Sequence, residues 1–97
     1  MEVEGRLLFC WLDVDCVVLD LVDDSGSPFS IGIERPATGA LTHVVEALLV
    51  EWAEEGAHVS LRLVETGTTA ERHTRADLCH ERGTRVSGTL VAAAGLS

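Results

Sequence analysis

Three cysteines, four histidines and sixteen carboxylates are the side chains of this sequence with the widest chemical reach, and their spacing limits what each can do. Five residues separate Cys10 from Cys16, whereas two zinc ligands from one turn usually lie two to four residues apart. Cys79 and His80 are adjacent, so they point to opposite faces of a strand or about 100° apart on a helix. Neither geometry lets the histidine act as base to the thiol, which needs hydrogen-bond contact. Cys16 stands in the most apolar stretch of the chain, where a free thiol behaves as a small hydrophobe. His43 falls on the polar side of a helical pattern, and His58 and His73 could reach Cys79 only through tertiary contacts. These spacings predict three free thiols, no metal site and no cofactor.

The carboxylates suggest more at first sight. Asp13, Asp15, Asp20, Asp23 and Asp24 gather at the two ends of one apolar run and could divide acid and base roles or bind a hard cation. Strand ends and turns are also where aspartate bonds local backbone N–H groups, and no EF-hand spacing is present, so the structural reading is preferred. Charge is uneven along the chain. Residues 1–48 hold nine acids and two arginines, a net of −7, and residues 49–97 hold seven acids and five arginines, a net of −2. Within the second half Arg72, His73, Arg75, His80, Arg82 and Arg85 lie close in sequence. Together they are the candidate binding residues, able to hold a small anionic ligand or an acidic partner. The plainer reading is an edge strand kept soluble and unpaired by its charges.

Composition narrows the chemistry further. All seven basic residues are arginine, and the chain contains no Lys, Asn, Gln or Tyr. Lys, Asn and Tyr have A/T-rich codons, so the gap points to a GC-rich, bacterial genome. A Schiff-base lysine, a P-loop lysine and a tyrosine acid are all excluded. The formal charge of −9 opposes direct binding to a nucleic-acid backbone. No apolar run reaches the ~18 residues of a spanning helix. The start, Met1-Glu2-Val3-Glu4-Gly5, is acidic where a secretory signal would be basic. The expected compartment is the cytoplasm, with no membrane partner.

The elements that must position these groups follow from periodicity. Residues 3–12 alternate, with Val3, Leu7, Phe9 and Trp11 on one face, as in a strand. Residues 14–22 are apolar on both faces, as in a central strand. A turn at Asp24-Ser25-Gly26-Ser27-Pro28 leads to a third strand through Phe29, Ile31 and Ile33. Pro36 ends it. A helix then runs from a Thr38 cap to Gly56, with Leu41, Val44, Val45, Leu48, Leu49 and Trp52 as the buried stripe and His43, Glu46, Val50 and Glu54 opposite. Val59, Leu61 and Leu63 mark a fourth strand. Residues 68–82 carry a capping-box pattern, Thr68 with Glu71, but no buriable helical face, so an edge strand is preferred. Val86, Gly88, Leu90 and Ala92 mark the last. The expected fold is one α+β domain over residues 1–97, a mainly antiparallel twisted sheet in the order βββαβββ, with one long amphipathic helix packed on one face.

No P-loop, dinucleotide fingerprint, nucleophile elbow or HExxH motif occurs. Three function classes therefore compete. The favoured one is a small non-catalytic binding or regulatory module acting through protein–protein contacts. The second is a cofactor-free enzyme using Asp, Glu or His in a pocket between sheet and helix. The third is an acidic mimic that occupies a nucleic-acid-binding protein. A six-stranded sheet covered on one side by a single helix would leave its other apolar face bare, so a homodimer through the sheet is expected. The alternative within one chain is a sheet that curls on itself, with Gly5, Gly32 and Gly88 allowing the bends.

Overall fold

The computed structural model describes residues 1–35, 40–68 and 70–96, with side chains for all of these except 40–42. The expected stop at Pro36, the Thr38 cap and the side chain of Leu41 lie outside the described residues. The elements in chain order are β1 (Glu2–Leu12), β2 (Cys16–Asp23), β3 (Pro28–Glu34), α1 (Ala40–Glu55), β4 (His58–Thr66), β5 (His73–His80) and β6 (Arg85–Ala94). Every strand pair is antiparallel, so the chain is mostly antiparallel sheet with one helix. Among the described residues no helix is long and apolar enough to cross a membrane.

The sheet closes on itself. Its order is β1-β2-β3-β6-β5-β4, and β4 returns to β1 through the pairs from Glu2↔Arg62 to Arg6↔His58. The expectation of an open sheet with the helix on one face is corrected here: the sheet curls on itself, the alternative within one chain, and the bare sheet face on which the expected homodimer rested is not left open. One face becomes the interior of a six-stranded barrel, small enough for side chains to fill. Leu7, Leu19, Leu21, Ile31, Leu61 and Leu78 fill it and are fully buried. Closure also corrects the placing of β5 as an edge strand, because it pairs with β4 on one side and β6 on the other. The turn before it uses Thr68 and Glu71 in a local bond, Glu71 N–H to Thr68 carbonyl at 3.1 Å, without starting a helix.

The helix covers the mouth where β3 ends and β4 begins. Leu49 and Trp52 enter the core, and the Leu7 N–H donates to the Ala57 carbonyl at 2.9 Å just beyond the helix. Its buried line differs from the apolar stripe expected from the sequence. Glu46 is buried with Leu49 and Trp52, while Val44 and Val45 stay exposed. The physical reason is Arg35, at the end of β3, which meets the carboxylate and makes its burial tolerable.

A second correction concerns β1. Leu7 pairs with Leu21, but the next pair is Phe9 with Asp20, so Leu8 is an extra residue in a bulge. One inserted residue reverses the alternation. Phe9 and Trp11, expected beside Leu7 in the core, therefore point outward, and Cys10 turns inward against the core. A similar bulge occurs in β6, where Gly32↔Ala92 is followed by Ile33↔Leu90 and Val91 is the extra residue.

Local polar bonds hold the turns. The Asp23 carboxylate accepts the Ser25 N–H at 2.9 Å, the Ser25 hydroxyl at 2.6 Å and the Ser27 N–H at 2.8 Å. These bonds, the serine hydroxyl first, hold its carboxyl below the usual range. In the β1–β2 turn, Asp13 accepts the Val14 N–H at 2.8 Å.

Candidate functional site

The outer wall of β1–β2–β3–β6 carries an apolar row that crosses four strands in register: Trp11↔Val18, Val18↔Gly32 and Gly32↔Ala92. At the β1 end the rings of Phe9 and Trp11 meet edge to face, centroids 4.9 Å apart and planes at 88°. Phe9 is 58% exposed and Trp11 44%. At the β6 end the wall is low. A Cβ on Gly32 would lie 3.5 Å from both Ala92 Cβ and Val91 Cγ2, an ordinary contact distance, so these two side chains flank the glycine. Beside the ridge, a shallow recess of 330 Å³ runs past Leu8, Asp20, Ser30 and Ala94. An aromatic ridge and a recess thus share one wall.

The six candidate binding residues do not form one cluster. Arg72, in the turn before β5, is 3.9 Å from Glu65, and the His73 ring sits 2.8 Å from the Thr66 hydroxyl. Arg82 lies beyond the other end of β5, which at ~3.3 Å per residue is about 25 Å away. His80 points inward. The Arg82 N–H donates to its Nδ1 at 3.0 Å, so Nε2 carries the hydrogen and donates to Glu55 Oε1 at 2.8 Å. Its ring stacks obliquely on Trp52, centroids 5.0 Å apart. This histidine clamps helix to barrel and is unavailable at the surface.

Arg75 and Arg85 do share a surface, the outward face of β5 and β6, and they share it with Arg62 from β4. The pairs Arg62↔Asp77 and Asp77↔Ser87 set this patch. Arg75 grips Asp77 at 3.0 and 3.1 Å, and the Ser87 hydroxyl donates to the same carboxylate at 2.7 Å. The Ser87 bond first, then Arg75, holds the Asp77 carboxyl below its usual range. Arg62 escaped the sequence reading because it joins this group by strand pairing alone. The patch is organised around an internal acid that offsets much of its attraction for an anion.

A third feature lies at the helix-covered mouth, a cavity of 440 Å³ between α1, β2, β3 and the start of β6. The buried Glu46 forms part of its wall. Arg35 Nε donates to Glu46 Oε2 at 2.8 Å and a second guanidinium nitrogen to Oε1 at 3.1 Å. Arg35 also donates to the Asp13 carbonyl at 2.9 Å. Cys10 lies near enough for burial, with help from the Glu46 charge, to push its thiol up to about 11. Among the described residues no three His, Cys, Asp or Glu side chains converge as a metal site would require.

No family model, curated protein or solved structure matches the chain.

Proposed function

We propose that this chain is a small binding module acting through protein–protein contacts, and that its recognition face is the outer wall of β1–β2–β3–β6, occupied first by a second copy of the same chain. The observation that carries this reading is the Leu8 bulge, which turns Phe9 and Trp11 out of the core and onto that wall. Aromatic side chains supply the anchors of most protein interfaces. A bulge that exposes two of them forgoes core burial worth roughly 1.5–3 kcal/mol for a side chain of Phe size. Such a loss is tolerated where the exposed rings have another use.

Area supports a second copy. At the exposures seen, Phe9 and Trp11 present on the order of 100 Å² each. Leu8, at 50%, and Val91, at 53%, extend the patch on either side. The total of about 400 Å² falls in the range of surface patches that are often functional on small proteins. With a polar rim from Arg6, Asp20 and Ser30 it approaches the ~600 Å² per partner of a small specific interface. Shape points the same way. A twofold contact needs a patch complementary to itself, and here a ridge and a recess lie side by side.

Light scattering coupled to size exclusion at micromolar concentration tests the reading. A mass of two chains is expected, and Trp11→Glu should reduce it to one chain that keeps the far-ultraviolet circular dichroism of the folded barrel, since the side chain lies outside the core, while its melting temperature loses the concentration dependence of a dimer. Self-association should strengthen with added salt, because two chains of charge −9 repel each other. A single-chain mass at every concentration and salt level would overturn the homodimer.

A further inference from the structure

We propose that the cavity at the helix-covered mouth is a binding site for a small, largely apolar molecule carrying one amino group. Its 440 Å³ lies within the usual range of ligand pockets, and barrel mouths are a common place for them. It would hold about fifteen waters at ~30 Å³ each, room for a ring with a short side chain. Val17, Ile33, Val45, Leu49 and Val86 form an apolar lining.

The polar groups decide the chemistry. Glu34 and Glu46 are the ionisable residues of the lining, the Ser87 hydroxyl being engaged by Asp77 on the outward face, and among the described residues no basic side chain lines the cavity. Glu46 is 5% exposed and already neutralised by Arg35, yet each carboxylate oxygen keeps a free lone pair. Glu34 stands exposed at the rim, with no cation within 4 Å among the described residues. Acceptors therefore predominate and one negative charge is uncompensated, which suits a cationic donor and disfavours an anion. Backbone N–H and C=O groups also border the cavity. The ladder between β3 and β6 stops at Ile33↔Leu90, so the stretch Ser87–Thr89 has β5 on one side and the cavity on the other. An amine entering here would place its body against Ile33 and Leu49 and its nitrogen toward Glu34. This site is separate from the aromatic ridge, and its test does not depend on the oligomeric state.

Methyl-labelled protein titrated with benzylamine, benzyl alcohol and benzoate, followed by NMR, tests the proposal. Saturable shifts confined to the methyls of Val17, Ile33, Val45, Leu49 and Val86 are expected with benzylamine. Benzyl alcohol should bind about threefold more weakly, the scale of one exposed ion pair. Benzoate should bind roughly tenfold more weakly, a factor of ten being ~1.4 kcal/mol. Glu34→Gln should abolish the advantage of the amine over the alcohol. Val45→Trp, at a partly exposed helix position, should fill the cavity and block all three probes. Glu34→Gln changes only a surface carboxylate, so it reads the charge effect even if the tryptophan variant folds poorly. Absence of saturable shifts at those methyls, or equal affinity for benzylamine and benzoate, would overturn the proposal.

Discussion

Arg35 and Glu46 join the end of β3 to the helix by a two-pronged ion pair in which the partners are unequally shielded: the arginine side chain is 29% exposed and the glutamate 5%. Removing either partner therefore has different consequences. Arg35→Ala strands a carboxylate in a nearly dry site, and a buried charge left alone costs about 3–5 kcal/mol. Glu46→Ala leaves an arginine that can still reach water, so its cost should be nearer ~1 kcal/mol. Urea unfolding of the two variants measures the difference. Equal losses, or a larger loss for Glu46→Ala, would contradict this account of the pair.

Acid should destabilise the fold through Asp23 and Asp77. Both carboxyls are held below their ordinary values when folded. Between the folded and unfolded values the unfolded chain binds more protons, so stability rises with pH there. The contribution is complete above the unfolded value of ~3.9 and is lost as pH falls through the folded values. Melting curves from neutral pH down to pH ~2 should show this fall, and Asp77→Asn should flatten it. A variant with the wild-type acid slope would remove Asp77 from the explanation.

Cys10 should be the inert thiol of the native protein. With its value pushed up to about 11, hardly any thiolate exists at neutral pH. Alkylation followed by peptide mapping should label Cys10 only after denaturation. In denaturant all three thiols should titrate as free, and zinc near one equivalent in the native sample would contradict the expectation of no metal. Rapid labelling of native Cys10 would show that the inward turn after the bulge is wrong.

Gly5 and Gly88 should respond differently to alanine. A Cβ at Gly5 would collide with the Val22 carbonyl oxygen, which is backbone held in the β1–β2 ladder. At Gly88 the obstacle is the Ile33 Cγ2, a methyl on a stiff β-branched core side chain that can yield only by shifting toward the cavity it lines. Gly5→Ala should therefore cost about 2–3 kcal/mol and Gly88→Ala less. Thermal melts of both variants give the order, and the reverse order would contradict it.

Much of the architecture could be read from periodicity. Alternation in residues 29–33 and 59–63, glycines at turns and the apolar spacing of residues 48–52 depend on neighbours in sequence, where two- and 3.6-residue periods act directly. Turn aspartates were legible for the same reason, since Asp23 bonds groups two and four residues away. Tertiary structure decided the rest. Whether six strands lie open or close depends on pairing Glu2–Arg6 with residues 58–62, a contact no local pattern encodes. Burial of Glu46 needed Arg35, eleven residues away across the loop into the helix. The aromatic face needed one unpaired residue, Leu8, whose effect is invisible until the strand opposite is known. Alternation specifies that two faces exist, whereas the register of the neighbouring strand determines which of them Phe9 and Trp11 occupy.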